Sequence, residues 1–223
     1  MWQVRPYLVA SSVIDYHHKA FGPEFGFTNT YIVGPTDSDE VVVVDPGRGS
    51  APWVHHTLDE RGLDAVAVLL THGHMDHTWD AAPLADTLRI PVHLPRAGHH
   101  LLARPEEGLP AQFPHRLIQK HPHRRPLELL APAPVMRLAG LQVTTVPTPG
   151  HTPCSVTYVL DCGSARIVCT GDTLLGNGRV STPVPPGGDA HQLSRSTGIL
   201  RAAWIHETCT ILPGHGNPYQ IMP

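Results

Sequence analysis

Short apolar runs rich in β-branched residues alternate with amphipathic stretches along this chain. Residues 28–34 (TNTYIVG), 40–47 (EVVVVDPG) and 66–73 (VAVLLTHG) read as strands, each closed by glycine or a Pro-Gly pair. Between the second and third, Ser50 is placed to cap a helix over 51–61, with Trp53, Val54 and Leu58 on one face and Gly62 as its stop. A second helix is expected from Asp80 to Leu88. Residues 96–133 carry no sustained period and read as a helix plus surface loops. Three more strands follow, at 141–147 (LQVTTVP), 155–161 (SVTYVLD) and 165–172 (ARIVCTGD), then a proline-glycine loop, STPVPPGGD. Asp189 opens another helix with Gln192 as its capping-box partner, and Leu193, Thr197, Leu200 and Trp204 form its less polar stripe. A last strand lies in CTILPGHG. Strands then helix, twice over, fit an α+β fold of two sheets packed face to face with helices outside, in one domain over 1–223.

Composition narrows what such a domain can do. A formal charge of −3 gives no excess of positive charge for nucleic acid or an anionic membrane. No apolar run is long enough for a membrane span, and Arg5, Pro6 and Asp15 interrupt the N-terminal stretch, so a soluble, cytoplasmic protein acting on a small molecule is expected. The four cysteines, Cys154, Cys162, Cys169 and Cys209, lack C-x-x-C spacing and read as buried, reduced thiols. The basic residues Arg116, Lys120, His121, His123, Arg124 and Arg125 read as a solvated loop. Oligomeric state is not legible.

Seventeen histidines are the anomaly. The segment Thr71 to His77, THGHMDH, sets His72, His74, Asp76 and His77 directly after an apolar strand. On a strand, residues i and i+2 share one face, whereas in a loop both imidazoles can converge on an ion. Nitrogen and carboxylate oxygen are donors suited to zinc. One ion cannot accept all four from so short a loop, which points to two adjacent metals. Further donors follow glycine at strand ends: His151 in PTPGHT, Asp172 in CTGDTL and His215 in LPGHG. No G-x-S-x-G nucleophile elbow, P-loop or dinucleotide fingerprint competes with a metal site.

In that order, THGHMDH, PGHT, GDTL and PGHG resemble the metallo-β-lactamase superfamily, nearest its glyoxalase II-like branch of metallohydrolases. The resemblance implies a four-layer αββα sandwich. It implies two zinc ions, with iron or manganese as substitutes: His72, His74 and His151 on one, Asp76, His77 and His215 on the other, and Asp172 bridging. Asp76 and Asp172 would then serve catalysis with a metal-bound hydroxide. Asp45 is similar to the family's supporting aspartate, and Arg179, in the segment GNGR, to a residue that anchors a substrate carboxylate. The implied activity is hydrolysis of a small thioester or ester, with S-lactoylglutathione a candidate. A single-iron, sulfur dioxygenase-like oxidoreductase is the competing class, with lactone opening, β-lactam hydrolysis and a non-catalytic metal-binding role below it. Glyoxalase II enzymes carry a helical extension after the last histidine, whereas this sequence ends at Pro223. Trp79 and Asp80 stand where many relatives have a glycine pair, and Cys154 stands for a frequent glycine.

Overall fold

The computed structural model describes residues 12–22, 26–113, 115–162, 165–205 and 208–222. Its first sheet is laid down in chain order by β1 (Ser12–Gly22), β2 (Gly26–Pro35), β3 (Glu40–Val44), β4 (Asp64–Leu69), β5 (Val92–His93) and β6 (Leu129–Leu130). β1 to β3 pair antiparallel, and β3 to β6 pair parallel. The second sheet takes β7 (Val135–Leu138), β8 (Leu141–Pro147), β9 (Val156–Cys162), β10 (Ala165–Gly171), β11 (Cys209–Pro213) and β12 (Tyr219–Ile221), again in sequence order. Its pairs are antiparallel except β10 with β11.

The valine run of β3 is continuous because both of its faces are buried. Val42 and Val44 pack between the sheets with Leu69, Leu141, Val143, Tyr158 and Leu160. Val41 and Val43 face α1 (Ala51–Arg61) and α3 (Ala81–Leu88) through Val54, Leu58 and Leu84. On the other side of the sandwich, Leu200 and Trp204 at the end of α5 (Ala190–Ala203) cover Val146, Val159, Val168 and Ile211. The layers are therefore helix, sheet, sheet and helix. No helix among the described residues is long and apolar enough to cross a membrane.

Local signals and outcomes differ in instructive places. Gly62 ends α1 in the left-handed region at φ 61°. Ser50 stands at the N-cap but makes no side-chain bond there; the Ala51 N–H is taken instead by the Asp80 carboxylate, at 2.9 Å. The capping box of α5 is half formed. Asp189 accepts from the Gln192 N–H at 2.8 Å, while its own N–H goes to the Gly150 carbonyl.

The stretch 96–133 resolves into 3-10 turns at Arg96–Leu102 and Pro105–Gly108, a short α4 (His115–Ile118) and β6. Its basic segment is not uniformly solvated. His121 is 5% exposed and meets the Trp79 ring edge-on at 5.2 Å, and Arg124 pairs with Asp86. Trp79 is itself buried with Met75, Leu109 and Ile118, and so anchors this segment to the turn that carries Asp76 and His77. Cys154, Cys169 and Cys209 are free and buried, whereas the side chain of Cys162 lies outside the described residues.

Candidate metal centre

β3, β4, β8, β10 and β11 all end at one edge of the sandwich, because β3 and β4 are parallel, β10 and β11 are parallel, and β8 and β10 both run against β9. The loops that leave those ends carry Asp45, the THGHMDH segment, His151, Asp172 and His215 in turn. His72 lies in the loop after β4. His74 caps a single turn, α2 (Met75–Thr78), which presents Asp76 and His77. The histidine motif is thus half loop and half helix.

Three imidazole nitrogens face one another. His74 Nδ1 lies 3.1 Å from His72 Nε2 and 3.2 Å from His151 Nε2. A tetrahedral ion with bonds of roughly 2.0–2.1 Å to nitrogen holds neighbouring ligands about 3.3 Å apart, so this spacing fits a cation at the centre. Asp76, His77 and His215 form a second convergent set, with His77 Nε2 and His215 Nε2 each 3.4 Å from Asp76 Oδ2. Asp172 stands between the two. Its Oδ2 is 3.5 Å from His151 and 3.2 Å from His215, and its Oδ1 is 3.5 Å from His77. His77 Nε2 and Asp172 Oδ1 are buried with no hydrogen-bond partner, as donor atoms awaiting a cation would be.

The supporting bonds decide which nitrogen each histidine offers. Asp45 takes the Thr71 N–H on Oδ1 at 2.8 Å and the Thr71 hydroxyl on Oδ2 at 2.7 Å. Having donated its proton, that hydroxyl can only accept from His72 Nδ1, at 3.1 Å. Asp45 Oδ2 also accepts from His77 Nδ1 at 3.0 Å. One carboxylate therefore orients two imidazoles and turns Nε2 of each toward the other donors. His151 Nδ1 donates to the Thr182 carbonyl at 2.7 Å, with the same consequence. Asp45 does this from a left-handed backbone at φ 47°, a region aspartate tolerates better than most residues.

The two sets differ in charge. Burial, followed by the neighbouring imidazoles, holds His72 well below its ordinary range and lowers His74 to about 4. Burial also opposes charge on His77 and His215, but the carboxylates of Asp76 and Asp172 outweigh it, raising His77 to about 10 and His215 to about 12. Asp76 and Asp172 are pushed up by burial and pulled further down by those same histidines, so both stay ionised.

The glycines before His151, Asp172 and His215 are all needed for close approach, Gly150 because a Cβ there would overlap the Leu193 backbone. Gly171 has φ 49°, and a Cβ there would overlap the Thr71 side chain. A Cβ on Gly214 would overlap Asp172 Oδ1 and the His77 ring. Arg179 is exposed in a recess of about 320 Å3 lined also by Gly176, Asn177, His215 and Asn217.

Several supporting residues were not singled out from the sequence. The Thr28 hydroxyl donates to Asp76 Oδ2 at 2.8 Å. The Asn29 amide donates to the carbonyls of Pro213 and Gly216, at 2.9 and 2.7 Å, and so holds the loop of His215. Their signal was present: three consecutive polar residues, Thr28 to Thr30, open a buried strand. The contact of Ser181 and Thr182 with His151 had no such signal.

Comparison with known proteins agrees with this geometry. The chain is 34% identical over 195 residues to an uncharacterized protein of Mycobacterium tuberculosis, covering 85% of this chain and 86% of that one. It is 32% identical over 158 residues to an atrochrysone carboxyl ACP thioesterase of Passalora fulva, covering 69% of this chain but 40% of that protein. Among solved structures it is similar to the BLEG-1 B3 metallo-beta-lactamase, with TM-score 0.74, 27% identity, and coverage of 92% of this chain and 94% of that one. It is also similar to TTHA1623 in a di-iron-bound form, with TM-score 0.70, 29% identity and the same coverages. The family model described as the metallo-beta-lactamase superfamily matches residues 23–215, a span that takes in every loop at the ligand edge. On fold, ligand spacing and this match together, the chain belongs to the metallo-beta-lactamase superfamily.

Proposed function

We propose that this chain is a dinuclear metal-dependent hydrolase of a small thioester or ester. The observation that carries the reading is the pair of convergent donor sets with Asp172 between them. His72, His74 and His151 would hold one ion, and Asp76, His77 and His215 the other. The nitrogen and carboxylate donors suit zinc, and iron is an alternative supported by the di-iron form of TTHA1623. Two such ions supply a nucleophile at neutral pH by lowering the pKa of water to about 7, and they polarise a substrate carbonyl.

The chain's own residues do the rest. Asp45 and the Thr182 carbonyl fix imidazole orientation before any ion arrives. The Thr28 hydroxyl occupies one lone pair of Asp76 and limits its rotation. Arg179, beside His215 in the recess, would take an anionic group of the substrate and orient its reacting carbonyl toward the donor sets. Thioester cleavage is supported by the likeness to the fungal thioesterase, and S-lactoylglutathione remains a candidate substrate.

The test is metal content of protein purified without added metal, read beside hydrolysis of a thioester and ester panel that includes S-lactoylglutathione. Near two ions per chain with turnover is expected. About one iron per chain, no hydrolysis and oxygen-dependent persulfide turnover would overturn it.

A further inference from the structure

A groove of about 350 Å3 runs along α5. One wall is the strap of Val180, Ser181 and Pro183, whose Ser181 also touches His151. The other wall is α5 at Ala190, Leu193, Ser194, Thr197, Gly198 and Arg201. Steps of three and one put these six on a single helix face, on the order of 16 Å long at about 1.5 Å per residue.

Gly198 is out of place in that face. It sits inside a helix, where glycine is less favourable than alanine, and a Cβ added to it meets nothing within 4 Å. Neither packing nor backbone geometry asks for glycine here. What glycine leaves is a clear floor midway along the groove.

The lining is amphipathic and one-signed. Val180, Pro183 and Ala190 offer apolar contact, Ser181 and Ser194 offer hydroxyls, and no carboxylate lines the groove among the described residues. Arg201 stands at one end, with a guanidinium N–H donated to the Gly178 carbonyl at 3.0 Å. A carboxylate is a stronger partner for guanidinium than a neutral carbonyl, so an incoming acid would displace that bond.

We propose that this groove binds a medium-chain monocarboxylate, its head on Arg201 and its alkyl chain extended over Gly198 toward Val180 and Pro183. The site requires neither bound metal nor turnover and stands apart from the catalytic reading.

Octanoate is the probe, titrated into the whole protein with and without a chelator and followed by calorimetry and by hydrogen exchange. Saturable binding is expected, unchanged by the chelator, with exchange slowed across 180–184 and 190–201. Arg201→Gln should weaken it about tenfold or more, as loss of a charge-assisted bond requires. Gly198→Leu should abolish it by filling the floor. Gly198→Ala serves as the folding check, with melting raised by about 2 °C. Acetate and 1-octanol, each lacking half of the proposed contacts, should both bind more weakly than octanoate. No saturation by about 10 mM, near the millimolar limit of specific binding, would overturn the proposal. So would binding that survives Arg201→Gln undiminished, or that disappears with the chelator and thereby places the carboxylate on the ions.

Discussion

The two halves of the metal centre use the same side chain in opposite ways. Around His74 the nearest neighbours are imidazoles, and burial holds His72 and His74 below their ordinary range. Around His77 and His215 the neighbours are Asp76 and Asp172, and the carboxylates raise both histidines above neutrality. Of the first set, His72 and His74 are already in the protonation state a cation needs. The second must release protons as a cation enters, so its loading depends more strongly on pH. The lesson is that histidine count says little about a site until its carboxylates are placed.

The largest break in this comparison is Asp172→Asn, which strikes both sets. Metal content should fall in both, and kcat/KM roughly a thousandfold or more, because several kcal/mol of charge stabilisation goes with the ions. Elemental analysis with a thioester assay checks this; two ions retained would remove Asp172 from its bridging place. His74→Ala is narrower. It should abolish turnover and lower content by one ion while the protein stays folded, as circular dichroism and metal analysis would show.

Asp45→Asn sharpens the comparison, because Asp45 reaches His72 through Thr71 and His77 directly. Metal affinity should drop about 10–100-fold, the usual cost of losing such a supporting bond. Competition with a chromophoric chelator measures it. Loss confined to one ion would show that the Thr71 relay carries no orientation.

The smallest effect belongs to His121, outside the centre. Burial, then His123, lowers it to about 4. The unfolded chain, with histidine near about 6.5, therefore binds more protons in between. Stability should fall as pH drops from about 6.5 and level off below about 4. His121→Gln should flatten that slope in urea titrations of metal-free protein; an identical slope would show that His121 is not buried in solution.

The donor residues that the fold brings together were legible because chemistry concentrates them: four in six positions, and three more each after a glycine at a strand end. The larger strands and both outer helix layers were legible from periodicity. β5 and β6 were not, since two residues form a strand only where a neighbour supplies the ladder. β1 was not, because DYHHK breaks the apolar alternation. Ser50 stands at the N-cap of α1 as expected, but the acceptor of the Ala51 N–H was not legible, because Asp80 comes from a segment that only the fold brings near. The hold of Thr182 on His151 uses a backbone carbonyl, which leaves no mark in the sequence.

His72, His74, Asp76 and His77 issue from the first sheet, whereas His151, Asp172 and His215 issue from the second. Each donor set draws on both. Neither half of the chain, emerging first from a ribosome or released by a protease, could assemble either set alone. Metal uptake in this architecture would thus be a proofreading step, granted only to chains whose two halves have closed on each other.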